Sequence, residues 1–317
     1  MKILIGVDGS GHAERALWWG LQEARFHGAS VTVLYAFHVP EFTGPLDRPV
    51  AHEQERAAAQ ELVAKAVAGA GDDVEVDIET VATITDVAAR VLLDHARHHD
   101  LVVVGSRGRG GFSGLLLGSV SQQVSAHAGV PVAVIPSGRD GDPGPEAVRS
   151  IVVGVDGSPH SVQALRWAVD EARVRHCPLT AVYVYPSPAV TLTSDVLAGL
   201  NQVALESFYA RSAAVAQRVL DELIAERVAP ADVAAIERRV VEGSAAPFLV
   251  DEAADPSTML VVGSRGRGGF AGLLLGSVSQ QCLHHARGPV VVVHHTTPHR
   301  GVHRAGARAA QDRGETR

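Results

Sequence analysis

The segment VVGSRGRGGFSGLLLGSVSQQ, residues 103–123, returns at residues 261–281 as VVGSRGRGGFAGLLLGSVSQQ, changed only where Ser113 faces Ala271. Upstream of each copy lies a second matching pair, ILIGVDGS at 3–10 and IVVGVDGS at 151–158. The chain is therefore one unit written twice, and the repeat decides how the rest is read. The openings stand 148 residues apart and the glycine segments 158 apart, so the second copy carries ten extra residues between them. Because the 148 spacing holds through VTVLYAF and LTAVYVY, the insertion falls between about Ser187 and Ala235.

Within the unit, ILIGV is a short apolar run of the kind that forms a strand covered on both faces. Ser10 is placed to cap the next helix, whose Ala13, Ala16, Leu17, Leu21 and Ala24 recur at three- and four-residue spacing. Ser158 followed by Pro159 repeats this start signal, with proline at the first helical position. There follow the strand VTVLYAF, a helix from Glu53 to Val67, the strand VEVDIETV, and a helix from Val87 to His95. Last come the strand LVVVG, the glycine segment, a helix from about Leu115 to Ala128, and the strand PVAVI. Strands alternating with helices predict parallel pairing with right-handed crossovers, so each copy reads as a five-stranded doubly wound α/β layer. The expected boundaries are a first domain over 1–136, a linker over 137–149 rich in Gly, Pro and charge, and a second domain over 150–295. Residues 296–317, arginine-bearing and poor in apolar residues, read as a disordered basic tail.

The length of 317 residues suits two domains with a core each. A net charge of -7 gives no global field toward nucleic acid, and no apolar run approaches the roughly 20 residues that span a bilayer. The opening MKILIGVDGS carries no signal-peptide cleavage pattern, so the expected location is the cytoplasm. Cys177 and Cys282 build no disulfide framework; Cys282 falls in an apolar helical pattern and reads as core.

In an open α/β sheet, ligands settle beyond the carboxyl ends of the strands where strand order reverses. Two segments leave such ends here: Gly6 to Ser10 after the first strand, and Gly105 onward after the fourth. Gly105, Gly108, Gly110 and Gly111 strip side chains from the second of these, which would let backbone N–H groups face an anion. Gly118 and Ser119 are expected in the first turns of the next helix, where unpaired amides and the positive dipole end favour phosphate. Arg107 and Arg109, with Arg267 in the second copy, would supply opposing charge. No lysine stands near either segment, which excludes a P-loop, and GVDGS is too short for the dinucleotide fingerprint.

At these residues the sequence resembles the universal stress protein family in its tandem two-domain form. The ATP-binding pattern of that family, G-x2-G-x9-G-[ST], is met by Gly105, Gly108, Gly118 and Ser119, and again by Gly263, Gly266, Gly276 and Ser277. With 32 glycines in 317 residues a single match is conceivable by chance, but two in register with two VDGS strands are not. The resemblance covers roughly Met1 to His295. It implies strand order 3-2-1-4-5, with PVAVI and PVVVV at edges where the two domains pair as a pseudo-dimer. It also implies ATP, with or without Mg2+, in both halves. By position, Asp8 and Asp156 would lie against the nucleotide, while Leu34 and Val182 would read the adenine edge through their backbones. Gly6 and Gly154 would let the ligand approach, and Val120 and Val278 would join the phosphate end. The turn Glu242-Gly243-Ser244 fits the family, whereas Ile84-Thr85-Asp86 departs from it.

The function so implied is an ATP-binding stress-response protein in which binding, not turnover, is the output. The alternatives are a slow ATPase or phosphoryl or nucleotidyl transferase, and a nucleotide-free interaction scaffold. Asp8 and Asp156 also invite an acyl-phosphate reading, but GVDGS offers one carboxylate where a receiver-type site needs several. His95 and His99 could share a helix face, yet no carboxylate or cysteine joins them at metal-ligand spacing. Trp19 and Trp167 occupy equivalent positions and read as core. Further partners, a homodimer among them, have no signature in the sequence.

Overall fold

The computed structural model describes residues 1–37, most of 53–65, 76–85, 87–108, 117–138, 147–187, 202–268 and 275–295. The first half runs β1 (Lys2–Val7), α1 (Gly11–His27), β2 (Ser30–Phe37), β3 (Ile78–Ile84), α2 (Ala88–Ala96), β4 (Leu101–Gly105), α3 (Ser119–His127) and β5 (Val132–Ile135). Described positions between 53 and 65 are helical. The second half runs β6 (Ser150–Val155), α4 (Pro159–Arg175), β7 (Leu179–Tyr185), α5 (Gln202–Arg227) and α6 (Pro230–Val233). It continues with β8 (Ile236–Glu242), α7 (Ala245–Glu252), β9 (Thr258–Gly263), α8 (Ser277–His285) and β10 (Val290–Val293).

Each half has the order 3-2-1-4-5 with parallel neighbours, but the halves do not form separate sheets. All ten strands make one sheet, β3-β2-β1-β4-β5-β10-β9-β6-β7-β8. The junction is the antiparallel pair β5–β10, in register Val290 to Val134, Val291 to Ala133 and Val292 to Val132. Both strands bury every residue, as they must when helices cover both faces and neighbours cover both edges. One face of the sheet is covered by α1, α4 and α5, the other by α2, α3, α7 and α8. The insertion falls in the crossover from β7 to β8, which holds the 26-residue α5 and the short α6.

Local chemistry sets the helix starts. The Ser10 side chain accepts from the Ala13 amide, and Ser158 from that of Ser161, with Pro159 in the first turn. Two boundaries differ from the sequence reading. The third strand of the first half begins at Ile78, four residues later than VEVDIETV implies, because its register is fixed by pairing with Val31–Phe37. Helix α3 begins at Ser119 rather than near Leu115. Gly118 is extended at its N-cap, with its amide donating to the Ser106 carbonyl at 2.7 Å. The tryptophans also diverge: Trp19 is buried, whereas Trp167 is only partly covered. Cys282 is wholly buried, and burial pushes its thiol up to about 12, so it is a core residue. The expected tail and most of the expected linker lie outside the described residues.

Candidate functional site

Strand order reverses between β1 and β4, where Gly6 lies beside Val104. The chain leaves β1 toward one face and β4 toward the other, which opens a crevice at their carboxyl ends. A cavity of about 290 Å3 occupies it. Gly6 and Asp8 from the β1 end, Leu34 from β2, Gly105 and Gly108 from the β4 end, and Gly118, Ser119 and Val120 at the start of α3 all line this cavity. Arg109 lies outside the described residues, with Gly110 and Gly111; Arg107, two residues before it, does reach the cavity. The apolar wall adds Ala36, Ala88 and Leu92, which no motif marks. Their signal was only the apolar periodicity of β2 and α2.

The second half repeats the strand ends and helix starts of this framework. Gly154 pairs with Val182 as Gly6 pairs with Leu34. Gly263 closes β9, Gly266 follows it, and Gly276 is the extended N-cap of α8, whose first residues are Ser277 and Val278. Asp156 anchors the loops: Oδ1 accepts from the Ser158 amide at 2.9 Å, and Oδ2 from the Arg267 amide at 2.8 Å. Burial alone would raise the Asp156 carboxyl, but the bonds from Ser158 and Arg267 outweigh it and hold the group below the ordinary carboxylate range.

The motif glycines also serve close packing within the fold. A Cβ on Gly263 would stand 2.7 Å from the backbone of His160, and one on Gly105 2.9 Å from the His12 carbonyl. These glycines let the first turn of α1 or α4 sit directly on the strand end. A Cβ on Gly266 would lie 2.7 Å from Oδ2 of Asp156, and Gly108 meets Asp8 in the same way. A Cβ on Gly6 or Gly154 would meet the Leu92 or Leu249 side chain, at 2.9 and 2.8 Å.

Beyond the glycines, the helix starts face the crevice uncapped: neither Gly118 nor Gly276 supplies a side chain to the first-turn amides of α3 and α8. Ser121 and Ser279 donate to the carbonyls of Gly105 and Gly263, both at 2.6 Å, and so fix each helix start against its strand end. Sequence reasoning passed over this serine pair, although it recurs inside the repeated segment. It also passed over His12 and His160, which flank the two crevices. Burial first, then the neighbouring Arg107 or Arg265, lowers each imidazole and favours its neutral form. His160 Nδ1 accepts the His295 amide at 2.9 Å and lies 2.9 Å from the Ser264 hydroxyl. The candidates His95 and His99 are occupied within the fold: His95 Nδ1 lies 3.0 Å from the Val91 carbonyl, and His99 Nδ1 lies 2.7 Å from the His95 carbonyl with Nε2 3.0 Å from the Thr32 hydroxyl.

With this geometry in view, comparison with known proteins decides the family. A profile of the Universal stress protein family matches residues 1–136 and again 147–294. The chain belongs to the universal stress protein family. A universal stress protein of Mycobacterium tuberculosis is 34% identical over 299 residues, covering 92% of this chain and 96% of that one. One from Mycolicibacterium smegmatis is 32% identical with the same coverage. Among solved structures, a universal stress protein from Archaeoglobus fulgidus superimposes with a TM-score of 0.61 at 21% identity, over 92% of this chain and 96% of that one. At that identity the likeness speaks for the fold. No described helix of this universal stress protein is long and apolar enough to cross a membrane.

The two halves of the stress protein differ at one wall of the crevice. After Glu242 the turn into α7 passes through Gly243 at φ 131°, a conformation that side chains resist. After Ile84 the first half takes one residue more to reach α2, and the Thr85 hydroxyl accepts the Val87 amide at 3.0 Å. Asp86 lies outside the described residues.

Proposed function

We propose that this universal stress protein binds an adenine nucleotide, ATP foremost, in each half, and that occupancy rather than turnover is its output. The observation that carries this reading is the crevice between β1 and β4. It offers an apolar wall of Leu34, Ala36 and Leu92 for a base, facing an uncapped helix start and Arg107 for phosphates. The corresponding residues recur in the second half. The units are then residues 1–136 and 150–295, joined by a linker at 137–149 and followed by a basic tail, in a cytoplasmic stress-response protein. Asp156 is already committed to two loop amides, so it shapes the site instead of serving as a base, and hydrolysis is expected to be slow.

Equilibrium titration with ATP should give two sites per chain. Gly108→Ala and Gly266→Ala, which drive a methyl into the Asp8 or Asp156 carboxylate, should each remove one. Parallel titrations with ADP, AMP and cAMP would show how much of the affinity the phosphate chain carries. Absence of binding at about millimolar ATP, a weak affinity of roughly -4 kcal/mol, would overturn the reading.

A further inference from the structure

We propose that the seam between the two halves is a proton-operated latch: the buried cluster Glu23, His27, Glu171 and Arg175 holds the halves together while it carries one exchangeable proton, and loosens when that proton leaves. The proposal does not rest on nucleotide binding.

The cluster is contributed half by α1 and half by α4, on the face of the sheet above the β5–β10 pair. His27 Nε2 stands 2.9 Å from Glu171 Oε1 and 3.7 Å from Glu23 Oε2. Arg175 pairs with Glu23 across the seam and with Glu171 at 2.7 Å on its own helix. All four side chains are nearly out of solvent, at 11% exposure for His27, 6% for Glu23, 9% for Glu171 and 6% for Arg175. The Phe26 ring lies 4.7 Å under the Arg175 guanidinium and screens that side.

The repeat exposes the imbalance. Glu23 and Glu171 are equivalent positions, and so are His27 and Arg175, each pair 148 residues apart. The second half thus contributes a carboxylate and a permanent cation, the first a carboxylate and a titratable imidazole. Two carboxylates face one guanidinium, and charge balances only if a proton resides on His27 or Glu23. An unbalanced buried charge is strongly destabilising, so the closed seam retains that proton. Burial raises the Glu23 carboxyl despite Arg175. Burial would raise Glu171 as well, but the bonds from His27 and Arg175 outweigh it and hold Glu171 low. The better-served carboxylate stays ionised, and the proton falls to Glu23, the carboxyl that burial raises. Among the described residues, Cys177 also lies beside Arg175 and Glu171, and burial raises its thiol, so it stays neutral.

The sign follows directly. Opening the seam returns each group to water, where Glu23 reverts to the ordinary carboxylate range and releases its claim on the proton. Above the ordinary imidazole range, where the open form no longer keeps a proton on His27 either, the closed form binds more protons than the open one, and closure weakens as pH rises. One linked proton changes the opening equilibrium by about tenfold per pH unit across the window where it is lost.

The test is hydrogen exchange of the β5 and β10 amides in the full chain between about pH 6 and 9, the range in which an imidazole or a buried carboxyl gives up its proton. Rates are corrected for intrinsic exchange. Protection of Val132–Val134 and Val290–Val292 should fall with pH in the native sequence. It should be flat in His27→Arg, which copies the second half into the first and balances the charges permanently. Glu23→Gln, which leaves Glu171 and Arg175 paired, should also be flat and serves if the arginine variant does not fold. A pH-independent native seam, or either variant keeping the native slope, would overturn the proposal. So would protection that rises on adding Zn2+ and is lost in His27→Gln, because the ligand atoms of Glu23, His27 and Glu171 lie within 4.8 Å of one another and the site would then be a metal site.

Discussion

Asp156 shows how a single side chain organises a loop. Its two oxygens hold the amides of Ser158 and Arg267, one from each of the segments that bound the crevice. Asp156→Ala should leave the part-buried Ser158 amide unpaired and release the exposed Arg267 amide, and cost about 1–3 kcal/mol, measured by urea unfolding. Because the carboxyl is held below its usual range, its contribution is present above the ordinary carboxylate pKa and is lost only as pH falls through the lower folded value. The native protein and Asp156→Asn should therefore differ at neutral pH and converge in acid, as followed by thermal melts. The motif glycines belong to the same scale. The pattern was legible, but its physical reason was not, because the atoms that forbid a Cβ at Gly263 and Gly266 belong to His160 and Asp156, about a hundred residues earlier.

At the scale of elements, the repeat offers internal controls. Helices α1 and α4 end at equivalent positions in the same left-handed conformation, but α1 uses Gly28 at φ 58° and α4 uses His176 at φ 53°. A side chain in that conformation is disfavoured by about 1–2 kcal/mol, against a smaller entropic cost of glycine in the unfolded chain. His176→Gly should therefore stabilise the protein by about 1 kcal/mol, and Gly28→Ala should destabilise it by a similar amount, both read from denaturant midpoints. The starts of these helices were readable in advance, since Ser10 and Ser158 act within three residues of their targets. The start of α3 was not. The bond that ends the loop runs from Gly118 back to Ser106, so apolar residues before it could be mistaken for a first turn.

For the whole molecule, the single ten-stranded sheet makes each half part of the other's core. Removing Arg175 would leave Glu23 and Glu171 buried with only His27 between them. Arg175→Ala should cost about 3–5 kcal/mol, the range for breaking a buried pair from one side. The loss should appear as earlier exchange at β5 and β10 before the distal strands β3 and β8 are affected.

The sequence by itself determined the repeat, the parallel α/β unit, the family pattern and the residues that gather at the crevice. All of these rest on short-range periodicity or on motifs whose members act close together in the chain. The resemblance already put PVAVI and PVVVV at paired edges; only the tertiary structure decided that they join antiparallel into one continuous sheet, that Leu92 and Ala36 complete the apolar wall, and that Glu23 and His27 meet Glu171 and Arg175. Within its own helix each charged pair is an ordinary four-residue spacing. Burial at a seam between segments 148 residues apart turns it into a charge that must be balanced.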